Sequence, residues 1–231
     1  MPKYIEIAKK VDGDLILPEG SYEDRILGTD FVVERHVDAR GIKAEAITLW
    51  RGYIGGWFLG EGMKVYHTFD VRGVEIGGAL DLQQAYIGRT FEIGSELIFR
   101  KEEVLKVYSR VGEEFHAPRL KGGRLEFYGL KVGRNLNLNE VKADELHLSG
   151  CEIEGMFSLR NSRVKKLDIS EGRCKILDLR GSKIKKFYAT GFPKVEEVLV
   201  DSETELPRSL VDLLLFYFPD NEDLKRVRVR K

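Results

Sequence analysis

The decapeptides FSLRNSRVKK (157–166) and LDLRGSKIKK (177–186) repeat one pattern at a distance of 20 residues in this 231-residue chain. Apolar or small residues occupy positions 1, 3, 6 and 8 of each copy, and polar residues fill most of the others. A helix of 3.6 residues per turn cannot gather apolar residues spaced 2, 3, 2 and 3 apart on one side. Short extended stretches separated by a bend can do so. The pattern therefore predicts a repeat of short β-strands.

The same pattern recurs from residue 37 to about residue 200, in units of 10 or 11 residues. Clear copies are FDVRGVEIGGA (69–79), LDLQQAYIGRT (80–90), LEFYGLKVGRN (125–135) and LHLSGCEIEGM (146–156). Since no helix separates the units, we expect each one to make half a coil, with successive coils stacked ~4.8 Å apart as parallel strands. The prediction is an all-β parallel β-helix with 20–22 residues per coil, in which every second unit lies on the same side.

Each decapeptide also divides into two pentapeptides, as in LDLRG-SKIKK, and LDLQQ-AYIGR has an Ala–Ile pair in its second half. In this respect residues 37–200 resemble a divergent pentapeptide-repeat protein. The resemblance implies a right-handed, four-sided β-helix. Some members of that family mimic duplex DNA with an acidic surface, but this chain lacks the acidity, so that activity is not expected here.

The flanking segments are predicted to close the ends of one structural domain. Residues 1–36 are interpreted as an N-terminal cap with a hairpin around Asp12 and Gly13. The repeat is least regular over 99–114, where either a further unit starting at Leu105 or an inserted loop or helical turn fits the sequence.

Residues 201–231 are predicted to form a short helix between Pro207 and Pro219, followed by a basic tail at 224–231. The helix is interpreted as a cap on the last coil, or as a surface through which a monomer would become a dimer. The apolar residues proposed for this surface are Leu210, Leu213, Leu214 and Phe218.

Composition restricts the function classes. The chain has 38 basic and 38 acidic residues, so an electrostatic function requires local separation of charge. The longest apolar run, at 210–218, is too short to span a bilayer, and we expect a cytoplasmic protein without a membrane partner. Many Glu, Lys and Arg residues beside two glutamines are typical of thermophilic proteins. Cys151 and Cys174 fall at inward positions and form no metal motif, so buried thiols are expected.

Two arrangements of titratable residues are candidate sites. The four histidines do not converge in the predicted coil, and no metal or cofactor is expected. Acidic residues recur at position 2 of the units, and stacked carboxylates of this kind suit general acid–base chemistry. They form two rows: Asp70, Glu92 and Asp178 on one side, and Asp81, Glu126 and Asp168 on the other. An enzyme acting on a carbohydrate or other polymer is therefore one alternative function.

The repeated decapeptide itself suggests another function. Its basic residues stack in adjacent coils and predict a surface that binds a polyanion. The residues of this predicted surface are Lys142, Arg160, Arg163, Lys165, Lys166, Arg180, Lys183, Lys185 and Lys186. The leading hypothesis is a non-enzymatic scaffold whose partner is a macromolecule, either a nucleic acid or a protein. A solvated surface without a ligand and a self-assembling structural protein stay as alternatives.

Overall fold

The computed structural model shows a parallel β-solenoid of about nine turns with one C-terminal helix. It describes residues 4–17, 25–78, 80–93, 104–106, 110–190 and 194–230. The predicted fold class is thereby confirmed at the level of a parallel β-helix, while the hand of the coil stays a prediction.

The described residues include thirty-one strands of the coil. The first sixteen are β1 (Tyr4–Glu6), β2 (Lys10–Val11), β3 (Leu15–Ile16), β4 (Arg25–Thr29), β5 (Val32–Val33), β6 (Val37–Asp38), β7 (Lys43–Ala44), β8 (Ala46–Trp50), β9 (Tyr53–Ile54), β10 (Phe58–Leu59), β11 (Lys64–Val65), β12 (Thr68–Asp70), β13 (Glu75–Ile76), β14 (Leu80–Asp81), β15 (Tyr86–Ile87) and β16 (Thr90–Glu92). The remainder are β17 (Val104–Lys106), β18 (Arg110–Val111), β19 (Glu114–His116), β20 (Lys121–Glu126), β21 (Lys131–Val132), β22 (Leu136–Asn137), β23 (Lys142–His147), β24 (Glu152–Ile153), β25 (Met156–Ser158), β26 (Arg163–Asp168), β27 (Arg173–Asp178), β28 (Lys183–Tyr188), β29 (Lys194–Leu199), β30 (Glu205–Pro207) and β31 (Arg228–Arg230).

The strands fall on four faces, which the chain visits in the order 1, 2, 3, 4. Face 1 contains β1, β4, β8, β12, β16, β19, β22, β25 and the second halves of β27 and β29. Face 2 contains β2, β5, β9, β13, the first halves of β20, β23, β26 and β28, then β30 and β31. Face 3 contains β3, β6, β10, β14, β17 and the second halves of β20, β23, β26 and β28. Face 4 contains β7, β11, β15, β18, β21, β24 and the first halves of β27 and β29.

The register supports the predicted frame. Phe157 pairs with Leu177 and Arg163 with Lys183, so units two apart do stack on one side. Paired residues are 20–22 apart in most coils. In the coil that includes residues 94–103 they are 24 or 25 apart, as between Phe91 and Phe115. Leu105 begins a further unit there, because β17 pairs with β20; residues 99–103 and 107–109 lie outside the described residues.

The predicted N-terminal hairpin is wrong. Strand β1 pairs in parallel with β4, β2 with β5 and β3 with β6, so this segment forms the first coil and the repeat begins before residue 37. The Asp12-Gly13 pair does mark a bend, with Gly13 at φ 105°. The bend turns the chain from face 2 to face 3, however, and β2 and β3 on its two sides do not pair with each other as the strands of a hairpin would.

One type of corner follows faces 1 and 3. The carbonyl of position 3 accepts a hydrogen bond from the N–H of position 6, as between Leu148 and Cys151 at 3.2 Å, and position 5 has a positive φ. These are features of a type II turn, whose third residue needs a left-handed backbone. Position 5 holds Gly150 in one coil and Glu171 in the next along face 3, with φ values of 68° and 55°.

The interior is filled by positions 1, 3, 6 and 8, and its centre is a column of aromatic rings. Phe69, Phe91 and Phe115 are buried on face 1 of consecutive coils, with ring centroids 5.1 and 4.5 Å apart. Stacked rings of this kind add stability beyond their burial. Cys151 and Cys174 are buried free thiols, as their inward positions predicted.

The C-terminal segment closes onto the last coil. Helix α1 (Arg208–Tyr217) follows Pro207, as predicted, and contacts β30 and β31. A 3₁₀ turn at Leu224–Arg226 then leads into β31, which pairs in parallel with β30, so the basic tail forms a further rung of face 2. In the part of the chain that is described, no helix has the length and apolar character needed to cross a membrane.

Candidate functional site

The predicted basic residues fall into three groups, and the largest of them lies on face 2. Lys121, Lys142, Arg163 and Lys183 occupy one register position on four consecutive rungs. They are position 7 of alternate units, where the side chain points away from the core. Successive rungs of parallel strands lie ~4.8 Å apart, so the four cations span ~14 Å along the solenoid.

A second ridge runs beside the first. It is formed two residues further along each strand by Asp144, Lys165 and Lys185, and the space between the ridges is an open channel with Ala143 and Val164 in its floor. The part between Lys142 and Glu205 encloses about 480 Å³, and a neighbouring part between Arg119 and Arg163 about 500 Å³. We call this feature the face 2 channel.

The charges that line the face 2 channel are unequal. Seven cationic side chains line it, together with the carboxylates of Glu140, Asp144 and Glu205. The cations are Arg119, Lys121, Lys142, Arg163, Lys165, Lys183 and Lys185. The channel is therefore positive although the whole chain is neutral.

The acidic residues pair with only some of these cations. Arg119 lies 3.1 Å from Glu140, Lys165 lies 2.7 Å from Asp144, and Lys183 lies 2.5 Å from Glu205. Within the described residues, Lys121, Lys142, Arg163 and Lys185 form no ion pair. Since like charges on adjacent rungs repel, this arrangement is more favourable when an anion lies in the channel.

Arg160 and Arg180 form the second group and have a local structural partner. Asp178 is 1% exposed, and its carboxylate accepts hydrogen bonds from Nε and Nη2 of Arg180 at 2.9 and 2.7 Å. Arg160 Nε lies 3.9 Å from the same carboxylate. A buried carboxylate needs such compensation, so these two arginines are held at the corner between faces 1 and 2.

Lys166 and Lys186 form the third group. They lie in register at the start of face 3, away from the channel floor. Lys166 forms an ion pair with Glu145, and the hydrogen bond that its ammonium group donates lowers the pKa of the Glu145 carboxyl. The predicted surface is thus split by a corner between Lys165 and Lys166.

Two cations of the channel, Arg119 and Lys121, were missed from the sequence. The signal for Lys121 was present, because it is position 7 of the unit FHAPRLKGGR (115–124), as Lys142, Arg163 and Lys183 are of theirs. That unit follows the irregular segment, which hid its place in the row.

The position-2 acids lie on faces 1 and 3 as predicted, and most of them build corners. In each case a side-chain oxygen accepts a hydrogen bond from the backbone N–H two residues later, at 3.0 to 3.2 Å. The acidic pairs are Asp38–Arg40, Asp70–Arg72, Asp81–Gln83, Asp168–Ser170 and Asp178–Arg180, and the amide oxygen of Asn137 accepts the same bond from Asn139. This is an Asx turn, a structural use of the residue.

The hydrogen bonds at the corners also affect the pKa values of the carboxyl groups that accept them. Burial pushes the pKa of Asp168 upward, but hydrogen bonds from the hydroxyl and N–H of Ser170 and from Ser149, together with the nearby His147, outweigh burial, and the pKa is lowered. The pKa of Asp38 is lowered by its hydrogen bonds with Arg40. Both carboxylates are therefore ionised at neutral pH, whereas a general acid would need a raised pKa.

Histidines and cysteines do not assemble a site within the described residues. His116 lies on face 1 and His147 on face 3, and no three His, Cys, Asp or Glu side chains form a group that could hold a metal ion. Burial raises the pKa of both Cys151 and Cys174 to about 12, so these thiols are poor nucleophiles.

Comparisons with protein-family models, with curated proteins and with solved structures found no match to this chain.

Proposed function

We propose that this chain is a non-enzymatic β-solenoid scaffold that binds the phosphate backbone of a nucleic acid in the face 2 channel. The observation that carries the proposal is the row of Lys121, Lys142 and Arg163, three cations on consecutive rungs without an ion pair in the described chain. An extended anion with regularly spaced charges matches such a row better than a compact ligand does.

Binding of this kind is expected to be independent of sequence. Phosphate contacts fix position and supply affinity, whereas base-edge and stacking contacts supply specificity. Among the described residues, the side chains that line the face 2 channel include no aromatic ring. About four phosphate contacts predict that the logarithm of the association constant falls against the logarithm of salt concentration with a slope near −4 for duplex DNA.

The test is a salt titration of binding to labelled duplex and single-stranded nucleic acids. The channel variant carries Lys142→Ser, Arg163→Ser and Lys183→Ser, and its slope should become shallower by about one for each phosphate that the channel no longer neutralises. The control carries Lys43→Ser, Lys64→Ser and Arg89→Ser, which remove the same charge on or beside face 4, on the opposite side of the coil.

The proposal requires that the channel variant loses binding and that the control keeps it. Equal reductions of affinity in the two variants would show that binding depends on the net charge of the protein and not on the face 2 channel. An absence of wild-type binding at low salt would refute nucleic-acid binding, and the basic row would then be tested against acidic proteins.

A further inference from the structure

Face 4 also carries a channel between two ridges, but one of its rungs is acidic. We call it the face 4 channel. One ridge is formed by Arg110, Lys131, Glu152, Arg173 and Lys194, which are in register on five consecutive rungs. The second ridge, two residues further along each strand, is Gly112, Gly133, Glu154, Lys175 and Glu196. The part of this channel next to α1 has a volume of about 770 Å³.

Two adjacent rungs of the face 4 channel carry opposite charge. Glu152 and Glu154 make one rung acidic, and Arg173 and Lys175 make the next rung basic. Glu152 is bound within the chain by Arg173 at 2.6 Å, but Glu154 and Lys175 form no ion pair in the described part of the chain. A two-fold axis between these rungs would place the acidic rung of one copy on the basic rung of another.

Aromatic side chains of α1 stand at one end of the same channel. Phe216 is 77% exposed, the most exposed large apolar side chain among the described residues, and its ring meets that of Tyr217 edge-on with centroids 5.2 Å apart. Tyr217 lines the channel beside Lys194 and Val195. Exposed aromatic pairs at the margin of a cavity are typical of interaction surfaces.

The other end of the channel has a recess. Gly112 and Gly133 leave the second ridge without side chains there, and the recess of about 370 Å³ is flanked by Arg110 and Lys131. A Cβ atom on Gly133 would lie 1.8 Å from the carbonyl oxygen of Gly112, so close stacking of the coils excludes a larger residue. The two-fold axis that matches the charged rungs also carries the α1 end of one copy over this recess of the other.

We propose that the face 4 channel is a homodimer interface with a two-fold axis between the Glu152 and Arg173 rungs. Glu154 of each copy faces Lys175 of the other, and Phe216 and Tyr217 of each copy enter the recess over Gly112 and Gly133 of the other. Such an interface is isologous, since the same patch serves both copies. The dimer leaves the two face 2 channels exposed on opposite sides, so the inference is independent of the proposed nucleic-acid binding.

Charge reversal tests the placement. An acidic variant carries Arg173→Glu with Lys175→Glu, and a basic variant carries Glu152→Lys with Glu154→Lys. Each variant alone should be monomeric by sedimentation velocity across a concentration series in which the wild type dimerises, because like rungs then face each other. A mixture of the two should form a heterodimer by native mass spectrometry.

Phe216→Ser is the third variant, and it leaves the charged rungs unchanged. It replaces an exposed side chain, so it should fold normally and raise the dissociation constant of the dimer at least tenfold. A monomeric wild type would overturn the proposal. Dimers that persist in both reversal variants, or a mixture that gives no heterodimer, would overturn this placement of the axis.

Discussion

The type II corner gives the sharpest test of the repeat, because the same chemical change should have opposite effects at two nearby glycines. Gly150 lies at position 5 of its unit with φ 68°, and the nearest atoms to a Cβ added there, on Gly129, are 3.9 Å away. Gly150→Ala therefore adds no clash and changes only the cost of the left-handed backbone. Gly172 lies outside the left-handed region, and an added Cβ would make ordinary contacts at 3.4 Å.

The magnitude follows from two opposing terms. An L-residue in the left-handed region costs roughly 1–2 kcal/mol, and replacing Gly by Ala recovers about 0.4–1 kcal/mol from the reduced entropy of the unfolded chain. Gly150→Ala should thus lower the free energy of unfolding by about 1 kcal/mol. Gly172→Ala should raise it by about 0.4–1 kcal/mol, since only the entropy term applies.

Glu171 provides the reverse change in the adjacent coil. It occupies the left-handed position with φ 55°, and the N–H of Gly150 donates to the carbonyl of its neighbour Ser170. Glu171→Gly should raise the free energy of unfolding by about 1 kcal/mol. The assay is urea unfolding followed by circular dichroism, with a thermal midpoint shift of roughly 2–4 °C per kcal/mol for a chain of this size. A Gly150→Ala variant as stable as Gly172→Ala would refute the assignment of the corner.

Three further predictions concern the core, the thiols and pH. Ile184 is 1% exposed, so Ile184→Asp should lower the free energy of unfolding by several kcal/mol or unfold the chain. Lys183 forms a half-exposed pair with Glu205, so Lys183→Asp should lower it by no more than about 1 kcal/mol. Equal decreases in melting point in the two variants would contradict the assignment of Ile184 to the interior and of Lys183 to the surface. Cys151 and Cys174, with pKa values of about 12, should not react with a thiol reagent near neutral pH until denaturant is added, and a fast native reaction would contradict their burial. Several corner and ion-pair carboxylates have a lowered pKa in the folded chain, so they stabilise the fold at every pH above their unfolded pKa of about 4. The urea midpoint should therefore fall as the pH drops through their folded pKa values. A urea midpoint that rises in acid would contradict this reasoning.

Much of the fold could be predicted from one decapeptide because a parallel solenoid repeats its environment at a fixed period. Once positions 1, 3, 6 and 8 are assigned to the interior, stacking of Arg163 on Lys183 follows without any knowledge of distant contacts. The unit at Leu105 was one of the options for the same reason, and its strand pairs as the repeat requires.

Other features depend on partners that a local pattern does not reveal. Asp12-Gly13 is a strong hairpin signal, and the sequence around it does not show that Lys10 and Val11 pair with Val32 and Val33. Likewise, Arg180 resembles the other basic residues of its repeat until the burial of Asp178 is known. Tertiary pairing decided both cases.

The helix illustrates the same limit. The four apolar residues proposed as its surface are not equivalent, because Leu210 and Leu214 are fully buried against the last coil. The strongly exposed aromatic residues are Phe216 and Tyr217, which the apolar pattern did not separate from the buried ones. A helix that is apolar nearly all round gives no sequence signal for the side that faces outward.

The surface rows are informative because most of the repeat is fixed by the fold. Positions 1, 3, 6 and 8 fill the core, positions 2 and 4 frequently close the Asx turn, and position 5 needs a left-handed backbone. Positions 7 and 9 on the two channel faces share one strand geometry and are free of those constraints. Position 7 is mostly basic on both faces, so the difference lies in whole rungs: face 2 has a basic residue at position 7 on four consecutive rungs, whereas face 4 places the acidic rung of Glu152 and Glu154 beside the basic rung of Arg173 and Lys175. Folding requires neither arrangement. This difference between two structurally equivalent faces is the part of the sequence that selection for a partner would shape, and it is the basis on which we propose a polyanion on face 2 and a second copy on face 4.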